Sequence, residues 1–284
     1  MIVLNRAKRS RPILILIKHP PSQASATRMS RASLRAAAPI FTTNMRWAVG
    51  GWSFFIAENT LLSENREAII TAIGNESYHT CYGTLSTAAL ASIAYGFRRV
   101  RGASPLQWTG PPPMARVVAG TILSTGGMAS LLQMMPTFQV PVHIAEGSKQ
   151  WSVRCPFDFQ AKDAGPDGEP HGMGRISRHS GFWTMAALCG GSAMVTASVP
   201  QAACLAMPTL VAMVGGAHQD SRFRRGMGGY LSPEADRQTS NIPFYALAMG
   251  RQEGGWAKLW EECKGINLAA AVCAGVVLAV RRGR

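Results

Sequence analysis

Six apolar segments recur along this chain of 284 residues and restrict its fold more than any other feature. They cover residues 45–62, 82–97, 117–135, 181–199, 201–217 and 266–280. A helix of about 20 apolar residues crosses a bilayer, and these segments approach that length or fall short of it. Their many Ala, Gly and Ser residues allow neighbouring helices to approach closely. The pattern predicts an all-α fold, a polytopic integral membrane helical bundle with about six transmembrane helices. The alternative is a soluble helical protein with apolar helices.

The composition and the distribution of charge agree with this prediction. Charged residues make up 15% of the chain, whereas a typical soluble domain contains about 25%. The formal net charge is +14, but no acidic residue precedes Glu58. Nine of the 29 basic residues lie before residue 47, which leaves 20 basic residues against 15 acidic ones in the remainder. No basic stripe with interleaved aromatic residues is present, so the sequence predicts no nucleic-acid partner.

The first 44 residues have the composition of a targeting sequence. They are rich in Arg, Ser and Ala and contain no acidic residue, which is typical of an organellar transit peptide. We therefore predict two parts, a transit peptide over residues 1–44 and a transmembrane domain over residues 45–284. Composition does not separate plastid from mitochondrion, and a basic tail that stays attached is the alternative.

Motifs rich in Arg and His flank the fourth and fifth apolar segments. Arg175-Ile-Ser-Arg-His179 precedes the fourth segment, and Ala217-His-Gln-Asp-Ser-Arg222 follows the fifth. The two segments are joined only by a short turn at Val199–Pro200, which predicts an antiparallel helical hairpin. Polar residues from the two ends of the hairpin and from the C-terminal segment are then expected at one membrane face. They are Arg178, His179, His218, Asp220, Arg222 and Arg251.

The arginines of this face have two interpretations. A guanidinium group is a planar fork that suits a carboxylate or a phosphate, so these side chains are candidates for binding a ligand or a lipid headgroup. Alternatively, they pair with Asp220, Glu234 and Asp236 and hold the C-terminal segment on the helices.

Glu58 is an acidic residue inside or near the end of the first apolar segment. A carboxylate in hydrocarbon is costly, so an intramembrane acid predicts a functional site or a buried partner. The alternative is that Glu58 lies at the membrane interface in contact with water.

The order of the motifs resembles the NnrU family of membrane proteins, which includes the plastid 15-cis-zeta-carotene isomerases. The resemblance rests on Arg175 to His179, Asp220-Ser-Arg222, Arg237-Gln-Thr-Ser-Asn-Ile-Pro-Phe244 and Gly250-Arg-Gln252. It implies a protein of a plastid membrane, with a mitochondrial membrane as the alternative. It also implies membrane lipid and a carotenoid or other pigment as partners, and cis–trans isomerase activity that depends on haem b.

The resemblance also implies where the cofactor binds. The family's haem ligands include a histidine on the first helix, which falls near Glu58 here, and a Cys-x-x-His motif, which falls on Cys189 to Ser192. Both family histidines are therefore replaced. His179 and His218 are the expected ligands of the haem iron instead, with Cys189 as a deeper candidate. The residues expected at the cofactor are His179, His218, Cys189, Glu58, Arg178, Arg222, Arg251 and Asp220.

Two other functions are compatible with the sequence. One is a non-catalytic protein that binds pigment or has a structural role in the membrane. The other is an enzyme like the isoprenylcysteine and phospholipid methyltransferases, which also begin a helix with Arg-His but carry an acidic pair where this chain has only Asp220. No phosphate-binding loop of the Walker type, His-Glu-x-x-His motif or nucleophile elbow is present, so these soluble-enzyme chemistries are excluded.

Overall fold

The structure is a computed structural model that describes residues 43–102, 112–134, 142–144, 151–153 and 169–282. All of these residues belong to one compact unit, Pro39–Arg284. The predicted transit peptide lies outside the described residues, apart from Thr43 and Asn44, which begin the first helix.

The first half of the described chain consists of helices and one pair of short strands. The elements are α1 (Thr43–Glu64), α2 (Arg66–Ile73), α3 (Asn75–Gly102), α4 (Met114–Met134), β1 (Val142–Ile144) and β2 (Trp151–Val153). The two strands pair antiparallel, with His143 opposite Ser152. This strand pair, which interrupts an otherwise helical fold, was not predicted from the sequence.

The second half of the described chain contains helices only. They are α5 (Met173–Ile176), α6 (Ser180–Val195), α7 (Val199–Arg224), α8 (Pro233–Gln238), α9 (Tyr245–Ala248), α10 (Gly255–Glu262) and α11 (Gly265–Arg282). The helical fold class predicted from the sequence is confirmed, and each of the six apolar segments lies wholly or largely in one of the long helices α1, α3, α4, α6, α7 and α11.

Local sequence signals explain where several helices begin and end. Gly74 ends α2 with φ of 85°, a conformation that favours glycine, and its N–H donates to the Ile70 carbonyl at 2.8 Å. The hairpin turn lies at residues 196–198, and not at Val199–Pro200 as predicted. Pro200 instead lies in the first turn of α7, where a helix does not need its missing N–H, and the Ser198 hydroxyl caps that turn.

The long helices pack side by side through small residues. In space they follow the order α3, α1, α7, α6, α4, α11. A Cβ atom at Gly96 of α3 would lie 2.5 Å from the backbone nitrogen of Ala48 on α1. A Cβ at Gly120 of α4 would lie 2.7 Å from the Gly191 carbonyl oxygen on α6. The close helix packing predicted from the Ala and Gly content is therefore present.

Two helices in the described part of the chain, α4 and α7, are long and apolar enough to cross a membrane by length and composition. Residues Gly265–Val277 of α11 form a shorter apolar helix. The predicted six-span arrangement is thus not established by helix length and composition, and it stays a prediction.

Several charged or polar side chains are buried in this fold, and many large apolar side chains are exposed on it. Glu58, Arg175, His179 and Asp220 are all buried. Large apolar residues are exposed on the long helices, among them Leu61 at 63% and Ile122 at 66% exposure. Both features are uncommon in a soluble helical protein, where buried charges are rare and large apolar patches are seldom exposed to water.

Candidate functional site

The end of the α6–α7 hairpin holds a buried pair of polar side chains, His179 and Asp220. His179 precedes α6 directly, and Asp220 ends a stripe of buried residues that recurs every four positions along α7 from Pro200. Because α6 and α7 run antiparallel, the start of one meets the end of the other. Nε2 of His179 lies 2.8 Å from Oδ1 of Asp220, and Nη2 of Arg178 lies 3.6 Å from Oδ2.

Asp236 of α8 completes this cluster and ties it to the segment after α7. Its carboxylate accepts hydrogen bonds from Nη1 of Arg178 at 2.6 Å and from Nε and Nη2 of Arg224 at 2.6 and 2.8 Å. The Arg224 guanidinium, followed by that of Arg178, holds the pKa of Asp236 well below its usual range. We call Arg178, His179, Asp220, Arg224 and Asp236 the hairpin-end network. Arg178 is thus paired with acidic residues, which agrees with the interpretation that the arginines hold the C-terminal segment on the helices.

The Thr-Ser-Asn-Ile-Pro-Phe motif lies against the residues that lead into α6. The Ser177 hydroxyl donates to the Asn241 carbonyl at 2.6 Å, and the Arg178 N–H donates to the Ser240 carbonyl at 3.0 Å. The Phe244 N–H donates to the Ile176 carbonyl at 2.8 Å. Each contact uses a backbone group of the motif, so this part of the motif has a structural role.

A second ion pair, between Arg175 and Glu262, connects the start of the hairpin to the end of α10. Nε and Nη2 of Arg175 donate to Oε2 and Oε1 of Glu262 at 2.8 and 2.6 Å. Burial raises the pKa of Glu262, but Arg175 and the Gly172 N–H outweigh it, so the pKa lies below its usual range. Gln252, from the Gly-Arg-Gln motif, donates to the Arg175 carbonyl at 3.0 Å.

Glu58 belongs to a separate polar cluster between α1 and α3. Its side chain is 5% exposed, which excludes the alternative of a water-exposed position in this fold. Oε1 accepts hydrogen bonds from the Ser86 hydroxyl at 2.6 Å and the Asn59 amide at 2.9 Å. The Tyr82 hydroxyl donates to the Asn59 amide oxygen. Within the described part of the chain, the buried Oε2 has no hydrogen-bond partner.

His218 extends this cluster and faces away from the hairpin-end network. Its Nε2 lies 2.8 Å from the hydroxyl of Ser63, and that hydroxyl also donates to the Asn59 carbonyl. Side chains two positions apart on a helix point about 200° apart around its axis, so His218 and Asp220 lie on opposite faces of α7. We call Glu58, Asn59, Ser63, Tyr82, Ser86 and His218 the Glu58–His218 cluster.

The remaining predicted site residues take different positions. Arg222 lies one turn after His218, with Nη2 beside Gly228 and with its buried Nε lacking a hydrogen-bond partner among the described residues. Arg251 is exposed and lies 5.0 Å above the ring of Tyr245. Cys189 lies ten residues after His179 on α6, about 15 Å along the helix, with its sulfur 3.8 Å from that of Met185.

This arrangement does not fit a haem iron held between His179 and His218. His179 faces the hairpin-end network, where its Nε2 contacts Asp220. His218 faces Ser63 on the opposite side of α7, so the two imidazoles do not converge on one point. Within the described ranges, no group of three or more His, Cys, Asp and Glu side chains is suited to a metal ion.

Several residues of the Glu58–His218 cluster and of the Arg175–Glu262 pair were not predicted from the sequence. Ser63, Tyr82 and Ser86 are polar residues in apolar helices, and their spacing alone did not connect them with Glu58. Glu262 lies 87 positions from its partner Arg175. The signal that was available is the presence of polar side chains in α1 and α3 on the face that the two helices share.

Comparisons with known proteins identify the family to which the chain belongs. The family described as NnrU protein matches residues 49–281, which is most of the chain. No curated protein and no solved structure matches the sequence. The matched range contains the hairpin, both polar clusters and the motifs on which the resemblance rested, and the chain therefore belongs to the NnrU family.

Proposed function

We propose that this NnrU protein is a polytopic integral membrane protein of an organelle, most simply a plastid, with α1, α3, α4, α6, α7 and α11 as its six spans. The family, the buried polar residues and the large apolar side chains exposed on the long helices support the proposal. Five of the helices are about 27 Å long or longer, close to the roughly 30 Å of a bilayer core. Helix α6 is shorter, at about 24 Å, and local thinning of the bilayer accommodates such a mismatch at modest cost.

Alkaline carbonate extraction tests the membrane proposal. The protein is expected to stay in the membrane pellet, because only detergent removes a polytopic protein from the bilayer. Release into the soluble fraction would contradict the proposal. A peripheral protein of the same membrane is the control that must be released.

Within this bundle, the geometry best supports the binding of a pigment or similar polyene without catalysis. The observation that carries this function is the buried Oε2 of Glu58, an acceptor without a donor in an otherwise hydrogen-bonded cluster. Ligand sites are mostly apolar and contain a few polar groups that fix the orientation of the ligand. A carotenoid-like molecule with a hydroxyl group would place its chain along the apolar helices and donate that hydroxyl to Glu58.

The pigment proposal is tested by the ligand content of the purified protein. Solvent extraction of the wild-type protein, expressed in carotenoid-producing cells, is expected to yield a polyene spectrum. Glu58→Leu removes the acceptor of this hydrogen bond. If the bond contributes about 1.4 kcal/mol to binding, its loss is expected to lower the amount of bound ligand about tenfold. The exposed acid Glu67 offers a matched control, since Glu67→Leu lies outside the cluster and leaves the content unchanged. A colourless wild-type protein would contradict this function.

The haem b-dependent isomerase is the second candidate. The observation in its favour is the half-buried imidazole of His218 with Arg222 one turn away, because His218 would hold the haem iron and Arg222 would pair with a propionate. The absorption spectrum of the purified protein distinguishes the candidates, because haem gives a Soret band that His218→Ala would shift or abolish. A haem-free spectrum together with an unchanged carotenoid isomer pattern in cells would contradict the isomerase.

A further inference from the structure

Helix α10 exposes its aromatic side chains, while Lys258 and Glu262 on the other side of the helix pair with other parts of the protein. Trp256 and Trp260 are four positions apart and share one face of the helix, where they are 56% and 74% exposed. Lys258 and Glu262 lie on the opposite face. There Lys258 pairs with Glu169 at 2.9 Å, and Glu262 pairs with the buried Arg175. In water this helix would be expected to turn the other way, with the tryptophans against the protein.

The exposed face of α10 is part of a larger aromatic and aliphatic surface. The ring of Phe244 stacks on Trp256 with centroids 6.1 Å apart and planes 6° from parallel. Phe244 has φ of 61°, which is uncommon for a bulky residue and is maintained by the hydrogen bond to Ile176. We call the exposed large apolar residues of this region the α10 surface, and they are Ile242, Phe244, Met249, Trp256, Trp260 and Ile266.

The α10 surface continues into the outward face of α11. Only Cys263 and Lys264 separate the two helices. Val272, Val276 and Val277 of α11 are each about half exposed, so the apolar surface extends along that helix. Tryptophan and tyrosine concentrate where a transmembrane helix leaves the hydrocarbon, because their rings are amphipathic.

From these observations we infer that the α10 surface lies in the headgroup region of a lipid bilayer, with Trp256 and Trp260 inserted from the side of the membrane at which α11 begins. This inference rests on the proposed membrane location and specifies which surface meets the lipid. Exposed charges next to the surface have both signs, Arg251 and Lys264 against Glu253 and Glu261. The partner is therefore a zwitterionic lipid surface, held by aromatic and aliphatic burial and not by net charge.

Tryptophan quenching in vesicles tests the inference. The full chain is reconstituted in phosphatidylcholine vesicles whose acyl chains carry bromine either near the headgroup or near the chain end. The difference in emission between wild type and the Trp256→Phe/Trp260→Phe variant isolates the two indoles. Interfacial side chains lie roughly 5 to 10 Å into the headgroup and acyl boundary, so shallow bromine is expected to remove about half or more of this emission and deep bromine much less.

Two outcomes distinguish this inference from the membrane proposal. Vesicle flotation of the same sample reports whether the protein is in the membrane. If the protein floats but its two indoles are quenched by acrylamide from water and not by shallow bromine, the α10 surface faces water and the inference is wrong. If the protein does not float, the membrane proposal itself fails. Replacing part of the phosphatidylcholine with an anionic lipid is expected to leave the quenching unchanged, and a strong dependence would overturn the zwitterionic assignment.

Discussion

The imidazole of His179 and the carboxylate of Asp220 form a buried contact at 2.8 Å that joins the residue before α6 to the last buried residue of α7. This contact closes the open end of the hairpin, whereas the turn at residues 196–198 closes the other. The hairpin is therefore fixed at both ends, and the network around Asp220 also fixes the segment that follows α7.

We expect Asp220→Ala to destabilise the protein by about 1 to 3 kcal/mol, because it leaves the buried imidazole of His179 without its hydrogen-bond partner and removes an ion-pair partner of Arg178. Asp220→Asn keeps an acceptor for His179 and is expected to cost less. Denaturant unfolding in detergent measures both variants. Arg237→Ala, which breaks an exposed pair with Glu234, is the control and should leave the midpoint unchanged. Equal midpoints for Asp220→Ala and wild type would show that the contact does not stabilise the hairpin.

We expect the folded protein to lose stability in acid because of Asp236. Its pKa is depressed by Arg224 and Arg178 in the folded protein, so its contribution is fully present above the pKa of the unfolded chain, about 3.9. That contribution falls as the pH drops below about 4 toward the folded pKa, since the unfolded chain binds the proton first. Thermal unfolding between pH 6 and pH 3 measures the effect in wild type and Asp236→Asn. The variant is expected to be less stable at pH 6 and to lose less on acidification, and parallel pH profiles would contradict this prediction.

The Arg175–Glu262 pair is expected to stabilise the packing of α10 on the hairpin. Glu262→Gln leaves the buried guanidinium without its counter-charge, and breaking a buried pair in this way costs about 3 to 5 kcal/mol. Arg175→Lys retains the positive charge but loses the bidentate hydrogen bonding to Glu262, so a smaller loss of stability is expected. Protease sensitivity of the segment around α10, together with denaturant midpoints, measures both changes. Lys258→Ala is the control at the exposed pair with Glu169, and a similar loss from all three variants would argue against a special role for Arg175.

Two adjacent glycines of α6 are expected to respond in opposite ways to alanine. A Cβ at Gly191 would clash with the Ser124 hydroxyl and lie 2.6 Å from the Gly120 carbonyl oxygen, whereas a Cβ at Gly190 would meet nothing within 4 Å. Gly191→Ala should cost about 1 to 3 kcal/mol by forcing α4 and α6 apart. Gly190→Ala should be neutral or stabilise by up to about 1 kcal/mol, because it restricts the unfolded chain. Unfolding midpoints of the pair test this, and equal losses would contradict the close approach of α4 and α6.

Local signals in the sequence were sufficient for the six long helices and for the hairpin. Apolar segments predicted these helices, because hydrophobic patterning acts within one or two turns of the chain. The error at Val199–Pro200 has a local cause as well. Proline is unfavourable in the interior of a helix but fits its first turn, and Pro200 lies in the first turn of α7, so the hairpin turn precedes Val199.

The partners of the buried polar side chains were decided by the tertiary structure. His179 and His218 were predicted at one membrane face, and they do lie at the same end of the hairpin. Their separation onto opposite faces of α7 follows from the contacts of α7 with α6 on one side and with α1 on the other. The contacts of Glu58 with Ser86 and of Arg175 with Glu262 span 28 and 87 positions. The sequence by itself determined which residues are polar within apolar helices. Only the packing of the helices decided which polar groups meet, because side chains so far apart in the chain are brought together by tertiary contacts and not by local spacing.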